Sequence, residues 1–501
     1  MIAISPKLVP EIDRFAAEVL GIPVATLMER AGEAVASAAA RHLTPGGCAL
    51  ILAGGGNNGG DGYAAALALV RLGYRAVVSD ALGRGQSGEA GRAMLAAYRR
   101  AVGEPLSLGE AEELPHEVLI DAVLGTGARL PLGEELLPVS RLIRTSRAYK
   151  IAVDLPLGAD AEGGSCDPLA ARVDETVMLG FPKQGLLSYP ARTLVGRITV
   201  DSIGLDVAEV RDRFALTDGA TDLPDLRSLA PRRAANTHKG SFGHLLILAG
   251  SRRYRGAALL STAAALRMGA GLVTLASEEE VLSAAAVSLP DAILAAAPAN
   301  AAETLALADG KGAVLVGPGS GVGEALLWHT TALLSTPGAP LVLDADALTV
   351  LADGAGRGLL ALREAQRPVV LTPHPLEFAR LVGKSAPEVQ AERLTLARRF
   401  TEEYPVTLVL KGAGTVVAEG GECKVNLTGG PSLAKGGSGD VLAGAIASLL
   451  AGGLAPMAAA RLAVLLHGAA GDRLAEEYSP LGVRPHDLPE AMARVLAEAY
   501  R

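Results

Sequence analysis

Cysteine is scarce in this chain of 501 residues: only Cys48, Cys166 and Cys423 occur. Odd in number, far apart and free of any CxxC pair or Cys/His cluster, they suggest neither a disulfide framework nor a structural zinc site; the usage fits a reducing compartment and predicts a cytoplasmic protein. Excess positive charge is missing too. The formal net charge is -8 and the pI about 5.6, which argues against a nucleic-acid binder while leaving room for a local anion site. The first residues, MIAISPKLVPEIDRF, show neither a basic segment followed by an apolar stretch nor a small-residue cleavage site, so no export is expected. One run of twenty residues, Val441 to Ala460, carries no charge and has bilayer length. Gly452, Gly453 and Pro456 divide it into two helix-sized pieces and Asp440 stands before it as a helix start, so two buried helices are predicted and no membrane span.

What is present is apolar residue in quantity: 50% of the chain is hydrophobic and 20% charged, enough to bury two large cores and too little charge for disorder. Short runs rich in Val, Ile and Leu (CALILAGG, RAVVSD, EVLIDAVLG, KIAVDLPLG, ETVMLG, RITVDSIG) alternate with helical stretches. Apolar throughout rather than alternating, they predict a parallel sheet covered on both faces, a Rossmann-like three-layer domain. The helical segment 11–43 precedes the first strand and is expected to pack on that sheet or on a second subunit. The rhythm stops after Gly204, and a charged, Pro-containing stretch follows. A second series then runs through GHLLILAGS, GLVTLAS, GAVLVGPGS, APLVLDADAL, RPVVLTPHP and TLVLKGAGTVVAEG. The expected division is a domain at 1–210, a linker at 211–235 and an α/β domain at 236–501.

In the first half, a strand runs into the glycine-rich turn Asn57-Asn58-Gly59-Gly60-Asp61-Gly62 at a helix start, where unpaired amides and the helix dipole suit an anion. Two further loops fall at strand C-termini, Asp121 followed by Gly125-Thr126-Gly127, and Asp154-Leu155-Pro156, and all three are expected to converge on one crevice. The motifs NNGGDG, DAVLGTG, AVDLPLG and FPKQGL resemble, in order and spacing, the NAD(P)H-hydrate epimerases over residues 8 to 205. The resemblance implies that Asn57, Asn58, Gly59, Gly60, Asp61, the loop Gly125, Thr126, Gly127, Ala128, Arg129, Leu130, Pro131, and Asp154 hold the hydrated nicotinamide nucleotide. It also implies a potassium ion on Asn58, Asp121 and position 157, where Leu157 replaces the usual serine and leaves only a main-chain oxygen. Epimerisation at C6 needs a group that donates and then accepts a proton; Asp154 is the first candidate and Lys183 the second, unless Lys183 is simply a solvated turn lysine.

In the second half, Lys435-Gly436-Gly437-Ser438-Gly439-Asp440 precedes an apolar helix. Small residues at a helix start make an anion hole, and Asp440 lies at its mouth as a general base. GGSGD resembles the signature of ribokinase-like enzymes. Together with NTHKGSFGHLLILAGS, GPGSG, LDADAL, TPHPLE and LKGAGTVV it resembles the NAD(P)H-hydrate dehydratase branch over residues 232 to 500, which implies a ribokinase-like α/β domain. On that resemblance Ala257, Gly319, His374 and Asp440 contact the hydrate, while Lys411, Gly412, Ala413, Gly414, Thr415 and Gly439 hold ADP. Leu376 departs from the glycine common at its position. Phosphorylating the C6 hydroxyl makes a leaving group that the ring nitrogen expels, with Mg2+ bridging the nucleotide phosphates.

The chain is therefore expected to be a bifunctional repair enzyme for NADH and NADPH hydrates, a homo-oligomer without nucleic-acid or membrane partners. A kinase for a hydroxymethyl-pyrimidine or sugar shares the second site but leaves the first half unexplained. A nucleotide sensor that has lost chemistry through Leu157 is the other alternative.

Overall fold

A computed structural model describes residues 1–353 and 356–501. The chain divides into two compact units, Ile2–Gly219 and Ala220–Arg501 together with Met1. The division falls inside the stretch expected to be a linker. That stretch is not bare: it carries the short strand Gly219–Thr221 and a helical turn at Leu226–Leu229.

In the first unit, β1 (Cys48–Ala53), β2 (Arg75–Asp80), β3 (Val118–Ala122), β4 (Tyr149–Val153), β5 (Glu175–Leu179) and β6 (Arg197–Asp201) form one sheet in the order β2-β1-β3-β4-β5-β6. Every pairing is parallel. All residues of β1 and β3 are buried, as expected of strands covered on both faces. The chain proceeds outward from β1 in both directions, so the strand order reverses between β1 and β3, and a crevice opens there at the strand C-termini. The N-terminal helical segment, undecided from sequence, packs within this unit. Its helix Val24–Ala40 lies on the helix Asn57–Arg71. Gly32 makes that approach tolerable, since a Cβ there would come 2.5 Å from the Ala64 backbone.

In the second unit, β7 (Gly219–Thr221), β8 (His244–Leu248), β9 (Leu272–Ser277), β10 (Ile293–Ala296), β11 (Ala313–Val316), β12 (Leu341–Leu343), β13 (Val369–Leu371), β14 (Val406–Leu410), β15 (Val416–Glu419) and β16 (Glu422–Asn426) share one sheet. Its order is β10-β9-β8-β11-β12-β13-β14-β15-β16-β7. Strands β8 to β14 are parallel, and β14, β15 and β16 pair antiparallel. The reversal point lies between β8 and β11. The uncharged run forms parts of two helices, Ser438–Ala451 and Pro456–Gly482, separated at Gly452 and Gly453. Val441 to Ala451 is buried without exception, which explains the missing charges. No helix among the described residues is long and apolar enough to cross a membrane.

Candidate active sites

The first crevice, about 630 Å³, sits at the β1/β3 reversal. Its floor is the turn from β1 into the helix Asn57–Arg71, whose N-cap is Gly56. Glycine is obligatory at 59: a Cβ would lie 1.8 Å from the Gly54 carbonyl oxygen. Asn58 is buried and donates from Nδ2 to the Leu124 carbonyl at 2.7 Å, tying the turn to the loop after β3. Of that loop, Gly125 to Ala128 line the crevice; Arg129, Leu130 and Pro131 do not.

Asp121, at the end of β3, is 1% exposed. Its carboxylate accepts the N–H of Leu157 at 2.7 Å and that of Val123 at 3.2 Å. Burial lifts its pKa to about 6 against those two bonds, and among the described residues no cationic side chain pairs with it. The Leu157 side chain is buried in an apolar cluster with Leu132 and Ala171.

Asp154 stands at φ 66°, in the left-handed region. It accepts the Leu179 N–H at 3.0 Å and the ammonium of Lys183. Lys183 is fully buried and also donates to the Leu179 carbonyl at 2.9 Å, which replaces the alternative of a solvated turn lysine. Two more carboxyls join the crevice. Asp61 is partly buried, and its pKa is pushed well up by burial, then by Asp154 and Asp13, against Lys183. Asp13, from the helix Val9–Glu18, is also raised, chiefly by burial. Sequence reasoning missed Asp13. Its one signal is the helical pattern that buries Ile12 and Ala16 and turns Asp13 toward the crevice.

The second site collects the C-terminal ends of β8, β11, β12, β13 and β14 around the start of the helix Ser438–Ala451. Its N-cap is Gly437 at φ 101°. Asp440 is in the first turn and, among the described residues, its carboxylate makes no hydrogen bond; burial, with Asp344 nearby and against Lys411, raises its pKa to about 7. Lys411 Nζ donates to buried Asp344 at 2.8 Å, and Thr372 supports the same oxygen at 2.8 Å. Burial alone would lower the Lys411 pKa, but Asp344, Glu377 and Asp440 hold it above its ordinary value. A Cβ on Gly439 would lie 3.2 Å from Lys411 Nζ, so the lysine abuts the anion hole. Behind the hole, buried His467 bonds Ser438 Oγ and the Ser438 carbonyl, each at 3.0 Å. Burial drives its pKa down to about 4.

Gly319, at φ 61°, meets Ala257 closely: a Cβ on it would come 2.9 Å from Ala257 Cβ, so these two line the β8/β11 reversal together. His374 caps the helix Pro375–Val382. Its Nδ1 accepts the N–H groups of Leu376 and Glu377 at 3.1 and 3.2 Å, while Glu377 returns to the His374 N–H at 2.8 Å. This is a capping box. Its Nε2 lies 3.4 Å from Glu377 Oε1, and burial, mainly, lifts the Glu377 carboxyl to about 7. The Leu376 side chain is exposed, which is how leucine fits where glycine is common. Asp344 and His467 were not singled out from sequence as site residues, and Glu377 is recognised there only as retained in TPHPLE, without a role; Asp344 lies in the quoted LDADAL, but neither that motif nor spacing reveals its pairing with Lys411.

Comparison with known proteins covers both units. Residues 245–494 match the family model described as NAD(P)H-hydrate dehydratase, and residues 24–185 match that of the YjeF-related protein N-terminus. The bifunctional NAD(P)H-hydrate repair enzyme Nnr of Thermofilum pendens is 36% identical over 510 residues, covering 98% of this chain and 95% of that protein. The Escherichia coli K12 protein of the same name is 33% identical over 497 residues, covering 97% and 92%. Among solved structures, a ribokinase-like superfamily protein from Enterococcus faecalis V583 aligns with a TM-score of 0.50 at 27% identity, over 56% of this chain and 96% of that one.

Proposed function

This chain belongs to the family of bifunctional NAD(P)H-hydrate repair enzymes, with an epimerase domain and an ADP/ATP-dependent dehydratase domain, and from that premise we propose how each crevice performs its half of the repair. In the first, the free amides at 57 to 59, the side chains of Asn57, Asn58 and Asp61, and the loop 125–128 cradle the nucleotide of an NADH or NADPH hydrate. Loss of the C6 hydroxyl leaves an iminium that water re-enters on either face, so one group must give a proton and one must take it. Asp154, its charge compensated by Lys183, accepts; Asp61, whose carboxyl the crevice keeps protonated to higher pH, donates. The buried Asp121 carboxylate, which has no cationic partner among the described residues, fits a potassium ion with Asn58 Oδ1 and the main chain at Leu157, since hard cations take oxygen ligands. Such an ion would supply the compensating positive charge.

In the second crevice the C6 hydroxyl of the hydrate faces Asp440, between Ala257, Gly319 and His374, while Lys411 to Thr415 and Gly439 hold ADP. Asp440 takes the hydroxyl proton as phosphate is transferred, and the amides at the helix start stabilise the moving phosphoryl group. That transfer breaks the bond between the two phosphates of ADP and releases AMP; the ring nitrogen then expels phosphate from C6, and loss of the C5 proton, which the departing phosphate can take, restores the C5–C6 double bond. The carboxylates Asp344, Glu377 and Asp440 around a single lysine fit Mg2+ carried by the nucleotide, which would neutralise phosphate charge. One observation carries this reading: a carboxylate of raised pKa, unbonded among the described residues, stands in the first turn of a glycine-opened helix, beside a buried lysine. Product identity tests it. Incubation of NADPH hydrate with ADP should regain reduced-nicotinamide absorbance with release of AMP and phosphate, whereas a stable phosphorylated substrate would overturn it in favour of a kinase.

A further inference from the structure

Arg393 is 5% exposed and lies in the helix Arg393–Glu403, under the loop that follows β14. Its partners are unusual for a buried cation. One terminal nitrogen donates to Gln390 Oε1 at 2.8 Å; the other reaches three main-chain carbonyls, Leu410 at 2.8 Å, Lys411 at 3.2 Å and Gly414 at 3.4 Å. Among the described residues no carboxylate pairs with it. Burying a cation without a counter-ion is costly, and the guanidinium stays protonated at neutral pH even with its pKa lowered by burial to about 10.

The loop shows what this arrangement achieves. Because the C=O and N–H of one peptide plane point opposite ways, the Lys411 carbonyl drawn inward turns the Gly412 N–H outward. Gly412 (φ 132°) and Gly414 (φ 62°) supply the backbone freedom for that turn. Among the described residues the amides of Gly412, Ala413 and Gly414 donate to no protein acceptor. The Lys411 amide is already used, on the Pro373 carbonyl at 2.9 Å, which anchors the loop's near end. A Cβ on Gly412 would stand 3.1 Å from Arg393 Nη1, so the guanidinium fills the space directly beneath the turn. The result is a row of free donors over a buried positive charge, a combination that attracts a phosphate group.

We infer that Arg393 is a positioning residue for the nucleotide: it turns the 411–414 loop amide side outward and lends the loop its positive charge, without touching ligand itself. This rests on the dehydratase reading above, in which that loop holds ADP. Arginine is required because its planar fork reaches several carbonyls at once; a lysine offers a single compact charge.

The test is a comparison of Arg393→Lys and Arg393→Met with the native full-length chain. It measures ADP affinity by titration calorimetry, KM for ADP and kcat for dehydration, with epimer exchange by the same chain as the control for folding of the other unit. A hydrogen bond to a charged group contributes enough for roughly ten- to a hundredfold in affinity. Arg393→Met should therefore raise Kd and KM for ADP by about tenfold or more, Arg393→Lys by less, with kcat changed by less than about threefold. If the methionine variant fails to fold, the lysine variant decides: folded protein with native ADP affinity overturns the inference. A fall in kcat at unchanged KM overturns it too, because the residue would then act on the chemical step. If the native chain itself binds no ADP, the dehydratase reading fails instead.

Discussion

Lys183 and Asp154 form an ion pair inside the first crevice, with side chains only 2% and 11% exposed. Removing one partner of such a pair leaves a buried charge uncompensated, at a cost of about 3–5 kcal/mol. Lys183→Met and Asp154→Asn should each destabilise the protein strongly, and the double variant by less than their sum, a coupling that urea unfolding of the four proteins reads directly. Asp154→Asn should also slow exchange between separated hydrate epimers. Exchange at the native rate would remove Asp154 from the proton-transfer role.

Asp440→Asn should nearly abolish dehydration while epimerisation and folding persist. Asparagine is close to isosteric, so the anion hole survives and ADP still binds. What is lost is the proton acceptor, worth about 10²- to 10⁴-fold in turnover. A loss below tenfold would show that another group is the base.

The pH dependence follows from the same residue. Its pKa is raised to about 7, first by burial and then by Asp344, and the base works only when deprotonated. Dehydration kcat/KM, which reports the groups of the unliganded protein, should therefore climb as pH increases from 6 to 8. A profile flat across that range would contradict the assignment.

Potassium should stimulate epimerisation, and Leu157→Ser should lower the concentration giving half-maximal rate by adding an oxygen where a hydrocarbon now lies. Because Leu157 is buried in an apolar cluster, the change should also cost about 1.5–3 kcal/mol of stability. An unchanged potassium titration would mean that only the main chain at 157 serves the ion.

His467, bonded to Ser438 behind the anion hole, is buried in its neutral form. Its pKa falls from 6.5 to about 4 on burial, so the unfolded state takes up the proton first as the solution is acidified. The stabilisation is fully present above pH 6.5 and is lost between there and pH 4, about 3 kcal/mol in all. Replacing it, as in His467→Gln, should flatten that part of the stability profile; thermal unfolding at stepped pH gives the comparison.

The six strands of the first sheet are visible in the sequence because each is a continuous apolar run between turn residues. Strand β10 was not, since Ile293–Ala296 is half exposed and alanine-rich and resembles the helices around it. Strand β7 is three residues long, too short for any period to register. The glycine turns advertised both sites, because only glycine survives contacts such as that of Gly59 with Gly54. Asp13 was hidden for the opposite reason: one of three acids on an amphipathic helix, with Glu11 and Glu18, it has the pattern of a solvated face. Arg393 was hidden likewise, with Arg398 and Arg399 following it in the same helix. Only the tertiary fold separates buried Arg393 from half-buried Arg398 and exposed Arg399.

Around Lys411 the second site gathers more acid than base, and two of its carboxyls, Glu377 and Asp440, sit with pKa values of about 7. In calorimetric terms the crevice is a proton store. Bare ADP, adding negative charge, should draw protons in from the buffer, whereas a divalent cation arriving with it should drive them out. Binding heats measured in buffers of different ionisation enthalpy would then diverge in opposite directions with and without Mg2+, giving the charge state of the site without any turnover.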